Sequence, residues 1–365
     1  QQFQQEVPHE GTEKMTMADP IDAFLLVSFG GPEGPDEVIP FLERVTAGRG
    51  IPRERLELVG QHYFARGGIS PINGHCRTLL AQLTDAFASA DIDVPLYWGN
   101  RNSAPFLDDT VAQMHTDGVK HAVAFVTSAY SSYSGCRQYR ENIANAVRLI
   151  DGDGPAIDKL RIFFNHPGFI DPMVAGVTSA LDGIDPARTH VFFTAHSIPS
   201  ASAATCNYEQ QITNAAQLVA EGVGASAGAA MPPWSVVWQS RSGPPSMPWL
   251  EPDICDAIRS IDRLQVDHAV VVPIGFISDH MEVLQDLDTD AAAAARAVEL
   301  GFTRVSTASS DERFVDMIVE LVKERTEGVV PVALGELGLV PTQCGETCCP
   351  APQRPTGRPA GRPGG

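Results

Sequence analysis

His190-Val191-Phe192-Phe193-Thr194-Ala195-His196-Ser197-Ile198-Pro199 begins as a short apolar run of strand character and ends on an imidazole. A strand that hands a histidine to the loop at its carboxyl end is the arrangement from which open α/β sheets build their sites. The pattern returns where Val270-Val271-Val272-Pro273-Ile274-Gly275-Phe276 runs into Ser278-Asp279-His280-Met281-Glu282. Two strand ends, each carrying proton-transferring or metal-capable groups, predict a cleft with one wall from each.

Outward from these two runs, further strands are predicted over Phe24–Phe29, Val94–Gly99, His121–Thr127, Leu160–Asn165, Ser235–Gln239 and Arg304–Thr307. Helix-period segments lie between them, at Gly74–Phe87, Leu107–Thr116, Gln138–Leu149, Tyr208–Glu221 and Arg313–Lys323. Alternation of this kind predicts an α/β fold with parallel sheets covered by helices. The strands fall into two sets of about four, divided near Asp151-Gly152-Asp153-Gly154-Pro155. The expected organisation is an N-terminal extension over 1–20, one lobe over 21–155, a second over 156–328 and a tail over 329–365. The last helix of the second lobe is expected to pack back on the first. The extension and the Pro/Gly/Arg-rich stretch from Pro350 carry too little apolar surface for a core, and disorder is expected there.

With 365 residues the chain has room for two domains. Its net charge of −19 argues against nucleic acid and against an anionic membrane surface as partners. No window approaches the ~20 apolar residues of a membrane span, and the N-terminus lacks a secretion signal. A cytoplasmic monomer is the expectation. Seven cysteines, an odd number, predict no disulfide framework.

Glu282, Asp286 and Asp290 recur four residues apart. On a helix this stacks carboxylates along one face over about 12 Å. A solvated acidic face is the ordinary outcome for such a row. Here Val283, Leu284 and Leu287 occupy the other faces and the row starts at a strand end. Hard oxygen ligands placed so can lead a divalent cation inward, and a locally widened helical turn would align the spacing better still. His196 alone reads as structural; set against Glu282 it becomes a near-neutral base facing a carboxylate. His280 is expected to support Glu282. Arg241, after another strand, suits a carboxylate clamp or a surface role equally. Phe29-Gly30-Gly31-Pro32 lacks the G-x-G-x-x-G spacing of a dinucleotide site.

Five motifs in order and spacing resemble those of ferrochelatases: Phe29-Gly30-Gly31-Pro32-Glu33, Gly67-Gly68-Ile69-Ser70-Pro71-Ile72, Thr194-Ala195-His196-Ser197-Ile198-Pro199, Gln239-Ser240-Arg241 with Trp249-Leu250-Glu251-Pro252, and Phe276-Ile277-Ser278-Asp279-His280-Met281-Glu282. The resemblance runs from about Asp22 to Gly328. It implies two Rossmann-like lobes of the class II chelatase kind around a porphyrin cleft, and insertion of Fe²⁺ with release of two protons. It gives His196 the place of the family's active-site histidine and Glu282 that of the carboxylate across the macrocycle. Asp286 and Asp290 fall on the acidic row, as metal contacts on the iron's path. Arg49, Tyr130, Ser131, Tyr133, Arg241 and His280 are the expected porphyrin contacts. Two auxiliary metal contacts are not carried over, because Glu33 stands where some relatives have tyrosine and Asn102 where they have histidine.

The stretch Ala47-Gly48-Arg49-Gly50-Ile51-Pro52-Arg53-Glu54-Arg55 is polar, with three arginines, where membrane-acting members carry an apolar lip. The chain resembles actinobacterial members most, which implies coproporphyrin III as substrate, with protoporphyrin IX the alternative. A non-catalytic tetrapyrrole- or iron-binding protein or redox sensor is a reading of another class; a cobalt chelatase fits these motifs poorly.

Cys344, Cys348 and Cys349 crowd one end of the chain, where thiolates suit zinc or an iron–sulfur cluster alike. The resemblance shifts this to a [2Fe–2S] cluster, with Cys206 as the earlier ligand. Cys136 or Cys255 could replace one of the adjacent pair.

Overall fold

The computed structural model describes residues 20–227, 231–244, 246–342, 344, 345 and 347–352. The disorder expected for the N-terminal extension and the end of the tail concerns residues almost wholly outside that set.

Among the described residues, eight strands form two four-stranded parallel sheets. The first has the order β2-β1-β3-β4, from β1 (Ala23–Ser28), β2 (Leu96–Asn100), β3 (His121–Val126) and β4 (Ala156–Lys159). The second has the order β6-β5-β7-β8, from β5 (Thr189–His196), β6 (Trp234–Gln239), β7 (His268–Val272) and β8 (Gly301–Arg304). In each sheet the chain starts centrally, adds one neighbour, then crosses to the other side. This leaves a switch point between β1 and β3 and another between β5 and β7, where open sheets leave a crevice at their carboxyl ends.

Side chains alternate across each sheet, as a period of two requires. Ala23, Leu25 and Val27 of β1 meet α4 (Leu107–Thr116) and α5 (Gln138–Arg148) through Val111, Met114 and Ile143. Phe24 and Leu26 face the opposite way, into a core shared with Val191 and Phe193 of β5. That core also takes in α3 (Ile72–Ser89), α6 (Pro167–Ala180), α8 (Tyr208–Ala227) and α12 (Glu312–Thr326). Phe192, Ala269 and Val271 turn outward to α9 (Ile254–Arg259) and α11 (Ala292–Ala297). The last helix packs against both α6 and α3, and so returns to the first lobe.

Two strand expectations shift. Leu160–Asn165 is not a strand: the fourth strand is the short, part-exposed Ala156–Lys159, paired with β3. The first sheet therefore extends past residue 155. Leu160–Asn165 is the buried crossing between sheets, its Arg161 and Asn165 donors met by Glu324 and by the carbonyls of Val332, Leu334 and Gly338. The eighth strand lies earlier than Arg304–Thr307, at Gly301–Arg304.

Candidate active site

β5 ends on His196, and β7 leads through residues 273–280 to the short helix α10 (Met281–Val283). Both open at the switch point of the second sheet. The two segments are pressed together: Gly275 donates to the Thr194 carbonyl (2.9 Å), and a Cβ on Gly275 would lie 2.6 Å from Ala195 Cα. His196 Nε2 then stands 3.6 Å from Glu282 Oε2, with both side chains partly open to solvent, so the two face one point and a macrocycle cannot lie between them as the resemblance implied.

The imidazole is held at its other nitrogen. Nδ1 lies 2.5 Å from the Ser197 carbonyl, which only accepts, so the ring proton sits on Nδ1. Nε2 is the nitrogen turned toward Glu282. Tyr208 donates to the His196 carbonyl (3.0 Å), and Ser197 is tied through N–H to Gln239 (2.8 Å) and through Oγ to Leu250 (2.8 Å).

Glu282 is placed by its own loop. The Glu282 N–H donates to His280 Nδ1 (3.2 Å), making His280 the cap of α10, and burial lowers the His280 pKa. An accepting Nδ1 and a lowered pKa both describe a neutral ring that holds the Glu282 backbone. Beside it, Arg304 binds Asp279 through two hydrogen bonds (3.1 and 2.9 Å) and Asp288 through two more (2.6 and 3.2 Å).

From Leu284 to Ala291 the chain is a π-helix, the widened winding suited to a four-residue row. Asp286 is the central carboxylate. Burial pushes its pKa up to about 6, Glu282 and Asp290 add to the rise, and Ser240 and His196 oppose it. Ser240 Oγ donates to Asp286 Oδ2, and Gln239 Nε2 approaches the same oxygen at 3.4 Å. Ser240 holds this hydroxyl from a left-handed backbone, φ 61°, a conformation costing about 1–2 kcal/mol in a non-glycine residue. Gln285 Nε2 donates to Asp290 Oδ1 (3.0 Å). At the outer end of the row, Asp290 lines a hollow of about 470 Å³ with Asp253, Cys255 and Arg259.

The first lobe reaches this row through α1 (Pro35–Val45) and α2 (Arg53–Phe64), whose Phe41, Leu56 and Tyr63 enclose Met281. Burial raises the Tyr63 phenol pKa, with Glu282 adding to the rise. Tyr63, Ser240 and Arg304 carry no role in the sequence reading. Only Ser240 left a signal, as a hydroxyl in the loop after β6.

The expected porphyrin contacts divide. Tyr130 is buried at 2 % exposure and donates to the Ile274 carbonyl (2.8 Å), bracing the loop after β7. Ser131 is likewise buried, its N–H and Oγ bonded to Gln211 of α8. Tyr133 is half-buried, donating to Glu141 (3.1 Å). Arg49 is exposed after α1, whereas Arg53 is engaged by Glu43 and Glu57. Arg241 donates to the Met247 carbonyl (3.0 Å) and approaches Glu251 (3.7 Å) within its own loop. Glu33 and Asn102 are taken by Arg77 (2.6 Å twice) and by the Phe29 carbonyl (3.0 Å).

The tail brings Cys348 and Cys349 within electrostatic reach of Cys206. Cys348 and Cys349 Sγ are 3.6 Å apart. Burial raises the pKa of Cys206, Cys344 and Cys349, and Cys348 adds to all three. Cys136 acts on Cys344 and Cys349 as well, whereas Cys255 lies by Asp253 near the acidic row. Among the described residues no three His, Cys, Asp or Glu side chains are set together as ligands of one metal ion.

A family model described as Ferrochelatase matches residues 21–326. The chain is 49 % identical over 356 residues to the coproporphyrin III ferrochelatase of Streptomyces coelicolor, covering 92 % of this chain and 94 % of the relative. It is 49 % identical to the ferrochelatase of Rhodopirellula baltica, with 94 % and 99 % covered. Against the coproporphyrin III ferrochelatase of Nocardia farcinica the identity is 45 %, with 93 % and 98 % covered.

Proposed function

The chain belongs to the ferrochelatase family, and we propose that it inserts Fe²⁺ into coproporphyrin III to give coproheme III, a step of haem synthesis. The observation that carries the reading is the His196–Glu282 pair, 3.6 Å apart at a strand switch point. The names of the Streptomyces and Nocardia relatives support the substrate.

A porphyrin resists metal entry because its two N–H protons occupy the central hole. Held distorted, it exposes the pyrrole nitrogens and moves toward the transition state. His196 Nε2, with its proton fixed on the opposite nitrogen, accepts one pyrrole proton. Glu282 faces the same point, where its carboxylate steers iron or takes the other proton. Behind it, Asp286 and Asp290 supply the oxygen donors that suit a divalent cation on its way in. No electron moves: iron enters and leaves the step ferrous while two protons depart. The reading carries with it a cytoplasmic monomer, testable by fractionation and size-exclusion chromatography. No helix among the described residues is long and apolar enough to cross a membrane.

Protoporphyrin IX is the second substrate reading, and one observation favours it. The first lobe's edge exposes Ile51 (40 %) and Leu58 (56 %), more apolar than its three arginines suggest. Anaerobic insertion assays with both porphyrins separate the two. Faster turnover of coproporphyrin III is expected, with a loss of about a hundredfold or more in His196→Ala. Equal rates would remove the substrate assignment, and an active His196→Ala would remove that residue from the mechanism.

The tail thiols belong to the same reading as ligands of a [2Fe–2S] cluster. Cys206, Cys344, Cys348 and Cys349 are the soft donors such a group takes, and Cys348 acts on each of the other three, although among the described residues the four are not set as ligands of one metal ion. Ferrous insertion needs no electron from it, so its contribution is an anchor for a tail without a core of its own. Visible absorption with iron and sulfide analysis of anaerobically purified protein tests this; a colourless, zinc-containing sample counts against it.

A further inference from the structure

Arg66 lies in the turn after α2, and its guanidinium crosses from the first lobe to the π-helix of the second. Nη1 donates to Gln285 Oε1 (2.8 Å), and Nη2 to the Leu284 carbonyl (3.2 Å) and to Thr289 Oγ1 (2.5 Å). Leu284 and Thr289 are one π step apart, and Thr289 Oγ1 donates in turn to the Leu284 carbonyl (3.5 Å). One fork of donors therefore grips both ends of the step that opens the π winding. Through Gln285, which donates to Asp290 Oδ1 (3.0 Å), it also reaches the outermost carboxylate.

π turns are rare and mostly single, often at functional sites, and a donor from a neighbouring element can support one by satisfying a displaced carbonyl. Arg66 is well placed for that because its turn cannot drift. The Arg66 and Gly68 N–H groups both donate to the Tyr63 carbonyl (2.9 and 2.8 Å). Gly68 has φ 76°, and a Cβ there would lie 2.5 Å from Pro35 Cα, so the turn is seated on the start of α1. A planar guanidinium holds its donors in a fixed fork that spans three separated acceptors; the three donors of an ammonium leave a single atom and span less.

We infer that Arg66 is a positioning residue that holds Leu284–Ala291 in its π register and so keeps Glu282, Asp286 and Asp290 in line for the incoming cation. An α winding would still place the three on one side of the helix but would step each about 40° round the axis from the last. The inference rests on reading that row as the path of iron.

The test compares Arg66→Met and Arg66→Lys with the unaltered protein by hydrogen exchange and by Fe²⁺ insertion. In Arg66→Met, exchange across 284–291 is expected to quicken about tenfold while other segments keep their protection. KM for Fe²⁺ should rise about tenfold, with kcat and the porphyrin KM within about twofold. Arg66→Lys should recover part of both. Unchanged exchange across 284–291 overturns the inference, as does an unchanged KM for Fe²⁺. Loss of protection throughout the molecule also overturns it, since Arg66 would then be a support of the fold alone. Absence of iron insertion by the unaltered protein would instead count against the proposed function, and the exchange result would still decide the role of Arg66.

Discussion

Arg161 donates to Glu324 through Nε (2.6 Å) and Nη2 (2.8 Å), with side chains only 5 % and 9 % exposed. The crossing between the two sheets is thereby fastened to the last helix by a buried ion pair. Such a pair is worth little over an apolar substitute, but breaking one side leaves a charge stranded. Glu324→Leu is expected to destabilise the fold by about 3–5 kcal/mol. The joint variant Arg161→Met with Glu324→Leu should recover most of that. Urea denaturation of the three proteins measures both effects.

Asp286 gives a pH dependence of opposite sign to the usual carboxylate. Its pKa is raised by burial to about 6 from 3.8, so the folded state holds a proton that the unfolded state has released. Stability from this group is therefore full below about pH 4 and is lost as pH rises through 6. Asp286→Asn should stabilise the protein above pH 6, by about 1 kcal/mol once solvent screening is allowed for. The same variant should slow iron insertion and abolish its acid limb near pH 6. Melting curves and rate profiles from pH 5 to 8 check both.

Ser240 separates backbone strain from hydrogen bonding. Its hydroxyl meets Asp286 from a left-handed backbone. Ser240→Ala keeps the strain and loses the bond; Ser240→Gly loses both. The glycine variant is expected to be more stable than the alanine one by about 1 kcal/mol. Both should move the acid limb of activity to higher pH, because the bond that favours the charged carboxylate is gone.

His166 works in the ordinary acid-sensitive direction. Burial, with Arg161 adding, lowers its pKa to about 4, while its Nδ1 accepts from Gly168 N–H (3.1 Å) at the start of α6. Around it lie Arg161, Glu324 and Glu320, whose Oε2 is 3.2 Å from Nε2; burial raises the Glu320 pKa. The unfolded chain takes the proton first, so stability falls as pH drops from about 6.5 to 4, by up to about 3 kcal/mol. His166→Asn keeps a cap and removes the titration. Its stability should be flatter across that window in denaturant titrations at fixed pH.

How far such features are legible in the chain depends on whether their cause is local. His196 and Glu282 could be read because each follows a buried apolar strand, and strand ends gather where the sheet order reverses. The fourth strand could not. Ala156-Ile157-Asp158-Lys159 is a short edge with polar faces, while Leu160–Asn165 is apolar because it passes between two cores. A fully buried run of that length looks the same as a strand. Tyr130 is a related case: a phenol near a loop suggests a pocket, and its hydroxyl is bonded to a carbonyl in the distant loop after β7. Arg66, Tyr63 and Arg304 act across long sequence distances, and nothing beside them in the chain announces their partners.

Phe24 and Phe125 of the first sheet and Phe193 of the second belong to a single apolar body, with Phe163, Phe169 and Phe314 among the aromatics they share. The halves of this molecule are thus welded at the spine rather than hinged. Rigid-body opening would have to tear that body apart, at a cost set by its whole buried area. The lighter parts at the rim, α1, α2 and the π-helix, stand outside that body and are joined to one another through Met281 and Arg66. The molecule is built as a fixed frame on which two jaw faces are mounted.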